Sequence, residues 1–154
     1  MIIKKENLKE FIGKLKNEQK TIVMTNGCFD ILHIGHVEYL KKSKSLGDIL
    51  IVGLNSDSSV KKLKGPTRPI NSELDRAGVL DALKAVDHVC IFDENDASSL
   101  MELCQPDIYT KGGEYRIEEL PEYATATKLG CKIVLVDMVK GKSTTNLVNQ
   151  INQH

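Results

Sequence analysis

Five short apolar runs, at residues 22–25, 48–54, 88–92, 108–110 and 132–136, are separated by stretches whose apolar residues recur at helical spacing. The second reads Asp48-Ile49-Leu50-Ile51-Val52-Gly53-Leu54, with no polar alternation inside it, as expected of a strand covered on both faces. Strands of that kind joined by helices call for parallel pairing and right-handed crossovers. The expected fold is therefore α/β, a three-layer sandwich around a five-stranded parallel sheet, in a single domain over residues 1–154.

Between the runs, Leu8, Phe11, Ile12 and Leu15 fall at i, i+3, i+4 and i+7 and predict a helix over 7–17. A second helix is expected from about Gly35, with Val37 and Leu40 turned inward and Gly47 as its C′ residue. Ser72 caps a third over 73–85 that buries Ala77, Leu80 and Leu83. Asp96 opens a fourth that runs to Cys104 and is stopped by Pro106. A fifth covers part of 117–129 with Pro121 in its first turn, and the last starts near Ser143 and presents Leu147, Val148 and Ile151 to the core.

Lys plus Arg and Asp plus Glu both number 21, so no net field draws the chain to nucleic acid or an anionic membrane. Tryptophan is absent, which argues against base-stacking platforms. No apolar stretch approaches membrane-spanning length and the N-terminus lacks a signal-peptide core, so a cytoplasmic location is expected. Cys28, Cys90, Cys104 and Cys131 form no CxxC pair, which fits reduced thiols. Any anion site must be local.

One segment has that character. Directly after the first run comes Thr25-Asn26-Gly27-Cys28-Phe29-Asp30-Ile31-Leu32-His33-Ile34-Gly35-His36, where a strand gives way to a helix. A helix start offers unpaired N–H groups and a positive dipole end, Gly35 lets a phosphate approach the backbone, and His33 and His36 add donors. Gly141-Lys142-Ser143-Thr144-Thr145 places hydroxyls at another helix start, where a plain cap is the alternative. The basic stretch 61–69, broken by Gly65 and Pro66, reads as a mobile loop able to close over polyphosphate. Lys111-Gly112-Gly113-Glu114-Tyr115 exposes main chain to a flat base, and Asn55-Ser56-Asp57 reads as an Asx turn or, preferably, a helix cap. Neither GxxxxGK[ST] nor GxGxxG is present. All these residues follow predicted strands and should meet on one sheet edge.

The run from Thr25 to His36, together with Gly141 to Thr145, resembles the HxGH nucleotidyltransferases, the cytidylyltransferase-like family with a Rossmann-like fold. Leu46-Gly47-Asp48, Val52 to Asp57, Lys64-Gly65 with Arg68-Pro69, Lys111 to Tyr115 and Ser143 to Asn146 are similar to its D-glycero-β-D-manno-heptose 1-phosphate adenylyltransferase branch, over roughly residues 20–150. The resemblance implies attack of a sugar 1-phosphate on the α-phosphorus of ATP, with Mg²⁺, giving ADP-sugar and pyrophosphate. It assigns His33, His36, Lys64 and Arg76 to catalysis. Asn26, Gly27, Cys28, Phe29, Asp30, Gly35, Lys111, Gly112, Gly113, Ser143, Thr144 and Thr145 would hold the nucleotide. Asp30, Asn55, Asp57, Lys64 and Arg68 would face the sugar phosphate. Partners are thus small molecules, and a homodimer is the default association.

One departure separates the branches. The glycerol-phosphate cytidylyltransferases carry Arg-Thr-Glu-Gly before their Ser-Thr-Thr, where this chain has Met138-Val139-Lys140-Gly141. The arginine is missing, and Lys140 or Lys142 would supply only a point charge. Cys28 stands where the heptose branch has a small aliphatic residue. A CTP-dependent alcohol-phosphate cytidylyltransferase and a nucleotide-binding regulatory module without turnover are the alternatives.

Overall fold

The computed structural model describes residues 1–141 and 143–153; Lys142 and His154 lie outside the described residues. Strands β1 (Ile22–Gly27), β2 (Ile49–Asn55), β3 (His88–Phe92), β4 (Ile108–Gly112) and β5 (Lys132–Val136) form one parallel sheet in the order β3-β2-β1-β4-β5. The expected α/β architecture is therefore observed. Helices α1 (Lys5–Asn17), α2 (Ile34–Lys44), α3 (Asp57–Lys64), α4 (Glu73–Asp81), α5 (Ser98–Cys104), α6 (Tyr123–Leu129) and α7 (Thr144–Asn152) make up the outer layers.

Successive strand residues point to opposite faces, so each apolar run serves two cores. Met24, Ile51, Cys90 and Tyr109 pack beneath α1, α5 and α6, against Leu8, Ile12, Leu100, Met101 and Ala126. Val23, Leu50, Val52 and Val89 pack on the other face against Tyr39 and Leu40 of α2 and Ala77 and Leu80 of α4. Each fully buried aliphatic side chain stabilises the fold by about 1.5–3 kcal/mol, which is why the sheet tolerates no polar alternation.

The chain winds outward from β1 through β2 to β3, then returns across the sheet to β4 and β5. The reversal leaves a crevice beyond the carboxyl ends of β1 and β4, the place where such sheets bind ligands.

Several local expectations are corrected. The basic stretch 61–69 is not all loop: Lys61, Lys62 and Lys64 lie in the last turn of α3, where cations suit the helix dipole. Ser56 caps that helix by accepting from the Ser59 amide at 3.3 Å, so the cap reading of 55–57 holds. Helix α4 stops at Asp81 rather than near residue 85, and α5 starts at Ser98, the Asp96 carboxylate accepting the Ser98 amide from outside it. Gly47 is not the C′ residue of α2, which ends at Lys44. Its Cβ would lie 2.7 Å from Val23 and 2.9 Å from the Thr21 carbonyl, so close approach of the loop to β1 explains the glycine. Helix α7 buries none of its residues, Leu147 and Val148 are half-buried and Ile151 is 67% exposed, so its apolar side does not reach the core as expected.

Candidate active site

A cleft of about 570 Å³ opens at the carboxyl ends of β1 and β4. Its wall is the segment that links β1 to α2. Phe29 adopts φ 45°, a left-handed conformation rare outside glycine, and its ring packs 5.5 Å from that of His36. Strain of this kind persists only where the surroundings enforce it, and it commonly marks functional turns. Gly27 makes room for the turn, since a Cβ there would meet the Phe29 ring at 2.8 Å.

The two histidines close the first turn of α2 on each other. His33 Nδ1 accepts the Gly35 amide at 3.0 Å, and His36 Nδ1 accepts the His33 amide at 3.2 Å. A nitrogen that accepts an amide holds no proton, so both imidazoles are neutral and carry their proton on Nε2. Burial presses the His36 pKa from its usual 6.5 to about 4, and the adjacent His33 ring, centroids 4.0 Å apart, pushes the same way. The pair thus presents fixed N–H donors at a helix N-terminus, and His36 stays uncharged at neutral pH.

A buried polar network holds α2 in place. Thr25 Oγ1 lies 2.6 Å from the Tyr39 hydroxyl and donates to the Thr110 carbonyl at 3.1 Å, while Ser43 Oγ and Thr110 Oγ1 are 2.9 Å apart. These bonds tie α2 to the interior of β1 and β4. At the other end, Thr144 Oγ1 donates to the Ile31 carbonyl at 2.8 Å and Ser143 caps α7 through the Asn146 amide at 3.0 Å. Residues 143–145 therefore reach the cleft because α7 is pinned to the loop after β1; Lys142, singled out for its charge, lies outside the described residues.

Opposite stands the segment that follows α3. The Asp30 carboxylate accepts Arg68 Nε at 2.8 Å, the Ile70 amide at 2.8 Å and the Asn71 amide at 2.9 Å. Burial raises the Asp30 pKa, but the two amides and the guanidinium outweigh it and hold the carboxyl below its usual value. Asp30 thus fixes Arg68 at the cleft edge rather than offering its own oxygens to a ligand, and its side chain is only 1% exposed.

Arg76, expected at the phosphates, is instead an internal strut. Its guanidinium is buried and donates to the Asn71, Cys28 and Asn55 carbonyls at 3.0, 2.8 and 2.8 Å and to Asp57 at 2.8 Å. It does not line the cleft, and Asp57 is drawn away with it. Gly35, Gly112 and Gly113 are also absent from the lining: Gly35 is buried in α2, while a Cβ on Gly112 would collide with the Met138 sulfur. The other expected residues meet there, namely Asn26, Gly27, Cys28, Phe29, Asp30, His33, His36, Asn55, Lys64, Arg68, Lys111, Ser143, Thr144 and Thr145. Burial pushes the Cys28 thiol above its usual pKa, so it makes a poor nucleophile at neutral pH.

Leu63 and Tyr115, inside stretches already singled out, also line the cleft, and Asn95, Asp96, Pro121, Glu122 and Met138, which sequence reasoning passed over as site residues, complete the lining. Asn95, Asp96, Pro121 and Glu122 come from segments without a strand-to-helix glycine turn; only the pairing of an acidic residue with a preceding proline at 121–122 could have flagged one of them.

Comparison with known proteins gives the chain a family. A family model described as cytidylyltransferase-like matches residues 24–149, which include both histidines and the Ser-Thr-Thr turn. The chain belongs to the cytidylyltransferase-like family. It is 45% identical over 147 residues to the bifunctional protein HldE of Syntrophotalea carbinolica, covering 96% of this chain and 30% of that one. It is 51% identical over 143 residues to the HldE of Nitratiruptor sp., covering 92% and 30%. The chain thus spans about 30% of the length of these curated relatives. A lipopolysaccharide core biosynthesis protein from Thermoplasma volcanium, solved by crystallography, superposes with a TM-score of 0.65 at 36% identity, covering 80% of this chain and 99% of that one. Family membership supports a nucleotidyltransferase role for the chain. No helix among the described residues is long and apolar enough to cross a membrane.

Proposed function

We propose that the cleft transfers AMP from ATP to a sugar 1-phosphate, D-glycero-β-D-manno-heptose 1-phosphate by the resemblance of its motifs, releasing pyrophosphate. The observation that carries this reading is the pair of neutral imidazoles whose Nε2 protons stand at the start of α2. An oxygen of the sugar phosphate attacks the α-phosphorus, the bond from that phosphorus to the bridging oxygen breaks, and the electron pair leaves on pyrophosphate. The nucleophile is already ionised, so no general base is needed. Catalysis then consists of aligning the two phosphates and of supplying donors as charge gathers on the leaving group. His33, His36, residues 143–145, Lys64 and Arg68, the last held by Asp30, serve the triphosphate.

Among the described residues no cluster of three His, Cys, Asp or Glu is placed to hold a metal. A Mg²⁺ ion would come bound to triphosphate oxygens and water, its ordinary setting, and would neutralise phosphate charge.

ATP is favoured over CTP by the missing arginine before Ser143 and by the likeness to the HldE proteins. Incubation of the protein with each nucleoside triphosphate, Mg²⁺ and a panel of sugar and alcohol phosphates, read by pyrophosphate release, tests the proposal. Release is expected with ATP and a heptose 1-phosphate. Release only with CTP and glycerol 3-phosphate would overturn the adenylyl assignment, and nucleotide binding without release from any pair would leave a regulatory module.

A further inference from the structure

The wall of the cleft on the α5–α6 side carries a carboxylate that the proposed chemistry does not use. Glu122, just before α6, is 1% exposed yet lines the cleft. Its Oε1 accepts the Ala97 amide at 3.3 Å and the Tyr109 hydroxyl at 3.2 Å. Its Oε2 is buried and has no hydrogen-bond partner among the described residues. An orphaned carboxylate oxygen is costly, of the kind that native proteins keep where a ligand or water completes it. The Tyr109 hydroxyl has one proton, which Asn26 Oδ1 shares with Glu122 Oε1, so what Asn26 has left for a ligand is its NH₂.

The side of the sheet matters. His33, His36 and Arg68 come from α2 and the α3–α4 connection, over the core face lined by Tyr39 and Leu40, while Glu122 and Asp96 stand above the opposite face with α5 and α6. Lys111 shares the Glu122 side, two residues beyond Tyr109 on β4. In phosphoryl transfer the attacking and leaving oxygens lie roughly in line across the reacting phosphorus. With pyrophosphate gripped on the α2 side, the second substrate enters from the side of Glu122. A carboxylate can only accept, and the Asn26 NH₂ beside it can only donate. A hydroxyl uses both at once; an ammonium does not.

We propose that Glu122 Oε2 and the Asn26 amide form the subsite that reads a hydroxyl of the sugar moiety of the acceptor substrate, making Glu122 a specificity-determining residue for polyhydroxylated acceptors. The inference rests on the adenylyl-transfer reading for the identity of the nucleotide, but its test is a binding measurement that needs no turnover.

Calorimetry with ADP and with ADP-mannose on the wild type and on Glu122→Gln separates the possibilities. Glutamine can keep the bonds to Ala97 and Tyr109 with its one oxygen while turning a donor to the cleft in place of the acceptor. The wild type is expected to bind ADP-mannose more tightly than ADP. In Glu122→Gln, ADP should bind as before while ADP-mannose weakens by about tenfold, as for a lost hydrogen bond to a charged group. Glu122→Asp, which keeps the acceptor but withdraws it by one methylene, should fall between. Equal weakening of both ligands would mean that Glu122 reads the nucleotide or only caps Ala97, and unchanged binding of both would mean that it reads nothing; either result overturns the subsite. Failure of the pyrophosphate-release screen with a sugar-dependent gain still present at Glu122 would overturn the reaction and leave the subsite standing.

Discussion

His36→Ala is expected to lower kcat by about 10²–10³-fold, the usual loss on removing one transition-state donor. The fold should survive. Among the described residues the imidazole accepts only the His33 amide, and losing a helix-capping acceptor costs about 0.5–2 kcal/mol, a small part of the stability of a domain this size. Steady-state pyrophosphate release and circular dichroism on the same preparation check both halves. ATP affinity should change far less than kcat, because the donor acts on charge that appears as the bond breaks. A variant with near-normal turnover would strip His36 of its role, and one that loses ATP binding in proportion to kcat would reassign it to ground-state binding.

The second large effect is structural. Arg76→Ala should destabilise the protein by about 3–5 kcal/mol, as when one partner of a buried ionic group is removed, because three main-chain carbonyls and Asp57 lose their donor together. Arg76→Lys should recover little of this, since a single ammonium cannot span carbonyls on the β1 loop, the β2 tip and the segment before α4 as the planar guanidinium does. Urea unfolding gives the stability directly. A variant with wild-type stability and abolished turnover would return Arg76 to the phosphates, where the resemblance put it.

The difference between these two residues shows what a sequence of this kind discloses. His33 and His36 were legible because their function depends on local geometry: a glycine between two imidazoles at a strand-to-helix turn needs nothing distant to bring it together. The five strands were legible for a similar reason, since an unbroken apolar run such as 48–54 is needed only where both faces are covered. Arg76 was misplaced because its surroundings are nonlocal. The carbonyls it serves lie 48, 21 and 5 residues away, and an arginine in an amphipathic helix carries no mark of being buried. Glu122 was invisible for the same reason, its partners being Ala97 and Tyr109 on other elements. Helix ends slipped where nonlocal or competing bonds decided them, as with Asp96 standing outside α5 and α3 running to Lys64 into a stretch that reads as a loop. The apolar side of α7 was read as core-facing, and periodicity alone could not show otherwise.

All of the proposed chemistry depends on two uncharged rings offering Nε2 protons to the departing diphosphate. Long-range ¹H–¹⁵N NMR of the histidine side chains, titrated in pH and then with a nonhydrolysable ATP analogue, observes those atoms themselves. At pH 7 without ligand, His36 should show protonated Nε2 and bare Nδ1, with its second proton arriving only near pH 4, where burial and His33 have moved it. The analogue should then shift the Nε2 resonances of both His33 and His36. A His36 ring that titrates near 6.5, or Nε2 signals that stay still on saturation with the nucleotide, would remove the donors from the reaction.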